Sequence, residues 1–131
     1  MKNQPRLFTL FGMRLADISP ELRAAYDLSD SSGVLIMDPG ALYQRLDIGT
    51  LEEGEYFWCI GDMNITNLRE MVAELLRING LKPPANGQWT QEGHRGQVRI
   101  VFSNAHGSTT TYINLTDEDA AELKRLAAVL Q

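Results

Sequence analysis

The apolar residues of this 131-residue chain fall into segments of two periods, broken by Gly, Pro, Asn and Asp. Leu7–Ala16, apolar at Leu7, Leu10, Phe11, Met13 and Leu15, reads as a first strand. A short helix follows: Ser19 is a good N-cap, Pro20 suits the first helical position, and Glu21 complements the positive helix start. Leu22, Ala25 and Tyr26 give it an inward face before the polar turn Ser29–Gly33. Val34–Met37 has the composition of a buried strand and is stopped by Asp38-Pro39-Gly40. Ala41–Leu46 has room for one or two helical turns, with Leu42 and Leu46 on one side.

After the acidic turn Glu52–Glu55, Tyr56–Ile60 is an unbroken apolar run of strand length, and Gly61-Asp62 reads as a tight turn. The clearest helix spans Leu68–Ile78. Leu68, Met71, Val72, Leu75 and Leu76 recur at helical spacing, and Asn67 with Glu70 forms a capping-box pattern. Asn79-Gly80 ends that helix and Pro83-Pro84 prevents its resumption. Leu81–Gly96 reads as a long irregular connection. Gln97–Ser103 alternates apolar and polar residues and pairs with Thr109–Leu115 as a hairpin across Asn104–Ser108. A last helix is capped by Thr116, carries Asp117, Glu118 and Asp119 in its first turn, and has Leu123, Leu126, Ala127 and Leu130 as its stripe. Strands interspersed with short helices give an α+β class and one domain.

Composition narrows the function more by exclusion than by assignment. A net charge of −5, with 12 basic residues scattered along the chain, argues against nucleic acid as a partner. Cys59 is the only cysteine, so no intrachain disulfide forms, and between Trp58 and Ile60 it reads as a buried structural thiol. His94 and His106 fall in polar loops and read as surface histidines. No zinc spacing, phosphate cradle or calcium loop is present, so neither metal nor cofactor is expected. No nucleophile stands beside a base and an orienting acid, so no catalytic residue is expected. Leu7–Met13 is too short and too soon charged for a signal core, and no stretch reaches membrane-spanning length. The compartment is therefore cytoplasmic, or periplasmic or cell envelope if this is a segment of a longer exported chain.

The order of segments resembles the PDZ domains attached to bacterial HtrA-family (DegP-type) serine proteases. The resemblance rests on Leu10-Phe11-Gly12-Met13 followed by Asp17-Ile18-Ser19-Pro20-Glu21-Leu22, on Gly33-Val34-Leu35-Ile36 with Pro39-Gly40, and on Gly54–Ile60. The helix at Leu68 and the hairpin 97–115 complete the series. It spans residues 7–115, with 1–6 as an extension and 116–131 as an extra helix packed on the domain or on a partner. The implied fold is a partly open β-sandwich or barrel of five to six strands with two to three helices, plus that C-terminal helix.

What the resemblance implies is peptide recognition by strand addition, as a regulatory or substrate-recognition part of a larger protease. The ligand would be an apolar protein C-terminus or an unfolded segment, added beside a helix at a sheet edge. Its carboxylate would be held by backbone N–H groups of the loop Leu10, Phe11, Gly12 and Met13. The groove would be lined by Arg14, Leu15, Leu68, Met71, Val72 and Leu75. Glu55 replaces the family's usual Asp, and no histidine stands near Asn67, so selectivity for Ser or Thr in the ligand is not implied. Each apolar groove residue has an ordinary core role as its alternative, and Arg14 has that of a solvated charge. A second class of function stays open: a structural or self-association domain with a closed groove, its homo-oligomer formed through the C-terminal helix.

Overall fold

The computed structural model describes residues 6–28, 32–46, 48, 50–82, 90–91, 97–104 and 107–130. The class is α+β, as the pattern implies. The chain enters as a hairpin, β1 (Phe8–Leu10) and β2 (Met13–Asp17), and continues through α1 (Pro20–Ala25) to β3 (Val34–Asp38). A 3-10 turn at Leu42–Gln44 precedes β4 (Tyr56–Ile60) and β5 (Met63–Asn64). Then come α2 (Leu68–Ile78), β6 (Leu81–Lys82), β7 (Thr90–Gln91), β8 (Gln97–Asn104), β9 (Gly107–Asn114) and α3 (Asp117–Val129). Among the described residues, seven strands form one open antiparallel sheet in the order β1-β2-β3-β4-β8-β9, with β5 on β4; β6 and β7 pair separately. This is consistent with a PDZ-like open sandwich carrying an added helix.

Alternation along the strands decides the two faces, with β4 changing phase at the irregularity between Phe57 and Cys59. Met13, Leu15, Val34, Ile36, Phe57 and Ile60 join the large core with α2 and α3. Ala16, Leu35 and Tyr56 point the other way, onto Leu22 of α1. Within the large core, Phe57 and Phe102 meet edge to face, with centroids 5.9 Å apart.

Local capping accounts for where the helices begin. Ser19 Oγ accepts the N–H of Leu22, and Asn67 Oδ1 accepts that of Glu70. The reciprocal arm of the α2 box departs from the expected pattern: Glu70 accepts from the N–H and hydroxyl of Thr66 rather than from Asn67. Asp17 adds a long-range cap, its carboxylate taking the N–H of Leu68 and tying β2 to the start of α2. At α3 both arms form, between Thr116 and Asp119.

Two expectations are overturned here. The first ten-residue strand is two strands, because Phe11 (φ 54°) and Gly12 (φ 81°) both turn left-handed and reverse the chain. Positive φ at both central positions is the geometry of a two-residue hairpin turn. Leu10 and Met13 become cross-strand partners, so the spacing read as one strand belongs to a folded-back pair. The second is the long connection after α2, which carries the short β6–β7 ladder Leu81↔Gln91 and Lys82↔Thr90. His94 and His106 lie outside the described residues.

Candidate functional site

The proposed carboxylate loop and groove centre on the β1–β2 turn. In the turn, Leu10 and Met13 are fully buried, Phe11 is half-buried and Gly12 is exposed. Phe11 holds a backbone conformation that costs a side-chain-bearing residue roughly 1–2 kcal/mol. Two contacts offset this cost. Its N–H donates to Glu122 Oε1 of α3 at 3.0 Å, and its ring lies 5.7 Å from the Arg45 guanidinium.

Arg45 extends this contact into a latch. It makes a two-pronged ion pair with Asp119 and donates to the carbonyl of Asn114 at 3.2 Å. Asp119 also accepts the N–H of Thr116, closing the α3 cap. One residue further on, Leu46 accepts the hydroxyl of Thr111 at 2.6 Å. Segment 45–46 thus joins the end of β9, the start of α3 and the β1–β2 turn.

The geometry bears on the sequence-based site in three respects. First, β2 has no free edge along most of its length. It pairs with β1 through Phe8↔Leu15, Thr9↔Arg14 and Leu10↔Met13, and with β3 through Arg14↔Asp38 to Asp17↔Val34. Only Ala16 and Asp17 extend past β1; they line a cleft of about 360 Å3 with Arg6, Phe8, Val129 and Leu130. Two residues of open edge are too few for an added strand.

Second, the groove residues are sealed core. Leu15, Leu68 and Leu75 are fully buried, and Met71 and Val72 are within 2% of it. They share one cluster with Leu10 and with Ala120, Leu123 and Leu126 of α3, so the space beside α2 is filled by the chain itself. Arg14 alone of the set is exposed. Third, Gly12, with Phe11, turns the chain from β1 back into β2. The C-terminal helix likewise packs on α2 and β1, and its Leu123 and Leu126 are buried there instead of against a second copy.

Sequence reasoning missed Arg45, Asp119 and Glu122 as partners. Asp119 was legible as a helix-start acid, but its pairing with residue 45 leaves no mark in local periodicity. Burial alone would raise the Asp119 carboxyl, but hydrogen bonds from Arg45 and Thr116 and the guanidinium charge outweigh it and hold the group below its usual range. A depressed carboxyl contributes stability above its unfolded value, near 3.8, that is lost as pH falls through the folded one. Urea unfolding of the wild type should therefore show stability falling below about pH 4, and Asp119→Asn should flatten that fall while lowering stability at pH 7. An unchanged acid limb in the variant would remove Asp119 from this role.

Cys59 is 5% exposed, with its thiol 3.5 Å from the carbonyl of Gly61, and it reads as a packed side chain. Among the described residues no helix is long and apolar enough to cross a membrane. Comparison with protein-family models and with curated proteins gives no match to this chain.

Proposed function

We infer that this chain is a non-catalytic, PDZ-like interaction domain whose peptide-accepting edge is filled from within. One observation carries the reading: β1 lies antiparallel on β2, with Leu10 fully buried beside the turn that was expected to hold a ligand carboxylate. A peptide adding to β2 would first have to displace β1, and with it the α3 side chains that share its core. Burying a leucine side chain is worth about 1.5–3 kcal/mol, so opening would cost several such increments before any ligand contact formed. Recognition of apolar C-termini on β2 is thereby disfavoured, and the scaffold or self-association class is favoured.

A second reading has one observation behind it. The Phe11 N–H already holds a carboxylate, that of Glu122. A strand-accepting module of an HtrA-type protease, closed by its own helix, would show the same contact as a stand-in for a ligand terminus.

Titration with peptides ending in Val, Leu, Ile or Phe, as free acids and as amides, separates the two. The expected result is no saturable binding of either form below about 1 mM, where interaction free energy is only about −4 kcal/mol. Tight binding of the acid forms with loss on amidation would establish the second reading instead.

A further inference from the structure

We propose that β9 is a self-association edge, pairing antiparallel with β9 of a second copy of this chain about a two-fold axis at Thr110. This deepens the reading above, in which β2 is closed and contact is made elsewhere.

The two ends of the sheet are treated very differently. The β1 end is three residues long and lies against α3. The β9 end runs for eight residues, Gly107–Asn114, without a proline or a charged side chain. Its register with β8 is unbroken from Gln97↔Asn114 to Asn104↔Gly107, whereas β2–β3 and β4–β8 each carry a shift. Short length, bulges, prolines and edge charges are the devices that keep sheet edges from pairing, and β9 has none of them. Among the described residues no strand pairs with its outer side.

The ladder fixes which groups face outward. Arg99 directs its carbonyl toward β4, where it accepts the N–H of Gly61. In an antiparallel pair a residue's N–H and C=O point the same way, so Tyr112, opposite Arg99, turns its own pair away from β8. By the same alternation Ser108, Thr110 and Asn114 do so too. Arg45 takes the Asn114 carbonyl, which among the described residues leaves Ser108, Thr110 and Tyr112 as the open strip.

That strip is symmetric about Thr110, which is what a two-fold contact requires. Thr110 would face Thr110 of the copy, and Ser108 would face the copy's Tyr112, with every outward N–H opposite an outward C=O. Cross-strand threonine pairs are favourable, and Tyr112, now 48% exposed, would gain cover. The chain carries a net charge of −5, so a copy can approach itself closely only along an uncharged strip. β9 provides one, and Arg45 at its end is already neutralised by Asp119.

Sedimentation equilibrium of the full chain from about 5 to 500 µM, with Thr110→Pro and Thr110→Lys, tests this. The wild type should show a reversible monomer–dimer equilibrium within that range. Proline at 110 removes only an outward N–H and leaves the β8–β9 ladder intact; losing two symmetric hydrogen bonds should weaken the dimer about thirtyfold. Thr110→Lys sets two ammonium groups opposite each other and should do at least as much. Independently of any variant, the amides of Ser108, Thr110 and Tyr112 should gain exchange protection as wild-type concentration rises. A monomer throughout the range, or a dimer indifferent to both substitutions and without that protection, overturns the proposal. Neither result touches the closed β2 edge, which fails only if the acid peptides bind.

Discussion

Removal of α3 is expected to unfold this protein rather than open it. Leu123 is fully buried and Leu126 nearly so, in the same cluster as Leu10, Leu68, Met71 and Leu75. The two leucines alone contribute about 3–6 kcal/mol of burial. Their loss would also leave the apolar face of α2 and the inner side of β1 in water. Domains of this size have only about 5–15 kcal/mol of net stability to lose. A chain ending at Leu115 should therefore show no cooperative thermal transition, or a midpoint lowered by about 15 °C or more. Leu123→Ala makes the milder version of the same cut and should cost about 3 kcal/mol in urea unfolding. Differential scanning calorimetry together with the peptide titration gives the discriminating readout. If α3 were a lid, the shortened chain would stay folded and begin to bind peptides as free acids. A stable, cooperative, peptide-binding truncation would reverse the assignment of α3 as core.

That contrast also shows which parts of the molecule the sequence exposes and which it hides. The helix starts were legible because caps act over three or four residues: Ser19, Asn67 and Thr116 each cap as their positions imply. The α2 stripe and the 97–114 hairpin follow from a single period and were read nearly to their ends. The β1–β2 hairpin was hidden because its turn is built on Phe11 and Gly12, and phenylalanine at positive φ has no compositional signature. Once the turn was missed, the apolar residues around it could be assigned to a pocket just as well as to a core. The latch was hidden for a different reason. Glu122 and Phe11 are 111 residues apart, and Arg45 and Asp119 are 74 apart, so only the assembled fold brings them together. Local chemistry was legible, and the pairing that decides between open and closed was not.

The glycines at the turn offer the sharpest test of that decision. As part of a ligand loop Gly12 would be the intolerant residue, since a side chain there would crowd the incoming carboxylate. In the folded chain a Cβ added to Gly12 meets nothing within 4 Å, so Gly12→Ala should cost only the left-handed strain of φ +81°, roughly 1–2 kcal/mol. Gly40 lies at the far end of β3 and was read only as part of a turn. It has φ +57°, and a Cβ there would sit 2.4 Å from the backbone oxygen of Gly12. Backbone cannot rotate aside as a side-chain tip can, so Gly40→Ala must push the β1–β2 turn outward. That movement would strain the Phe11 N–H contact with Glu122 and the burial of Leu10. Left-handed strain and overpacking together should exceed about 3 kcal/mol, more than the whole of the cost at Gly12. Denaturant unfolding of the two variants measures this directly. Equal costs would mean that the turn is not pressed against Gly40, and the tight closure of β1 over β2 would lose its support at that end.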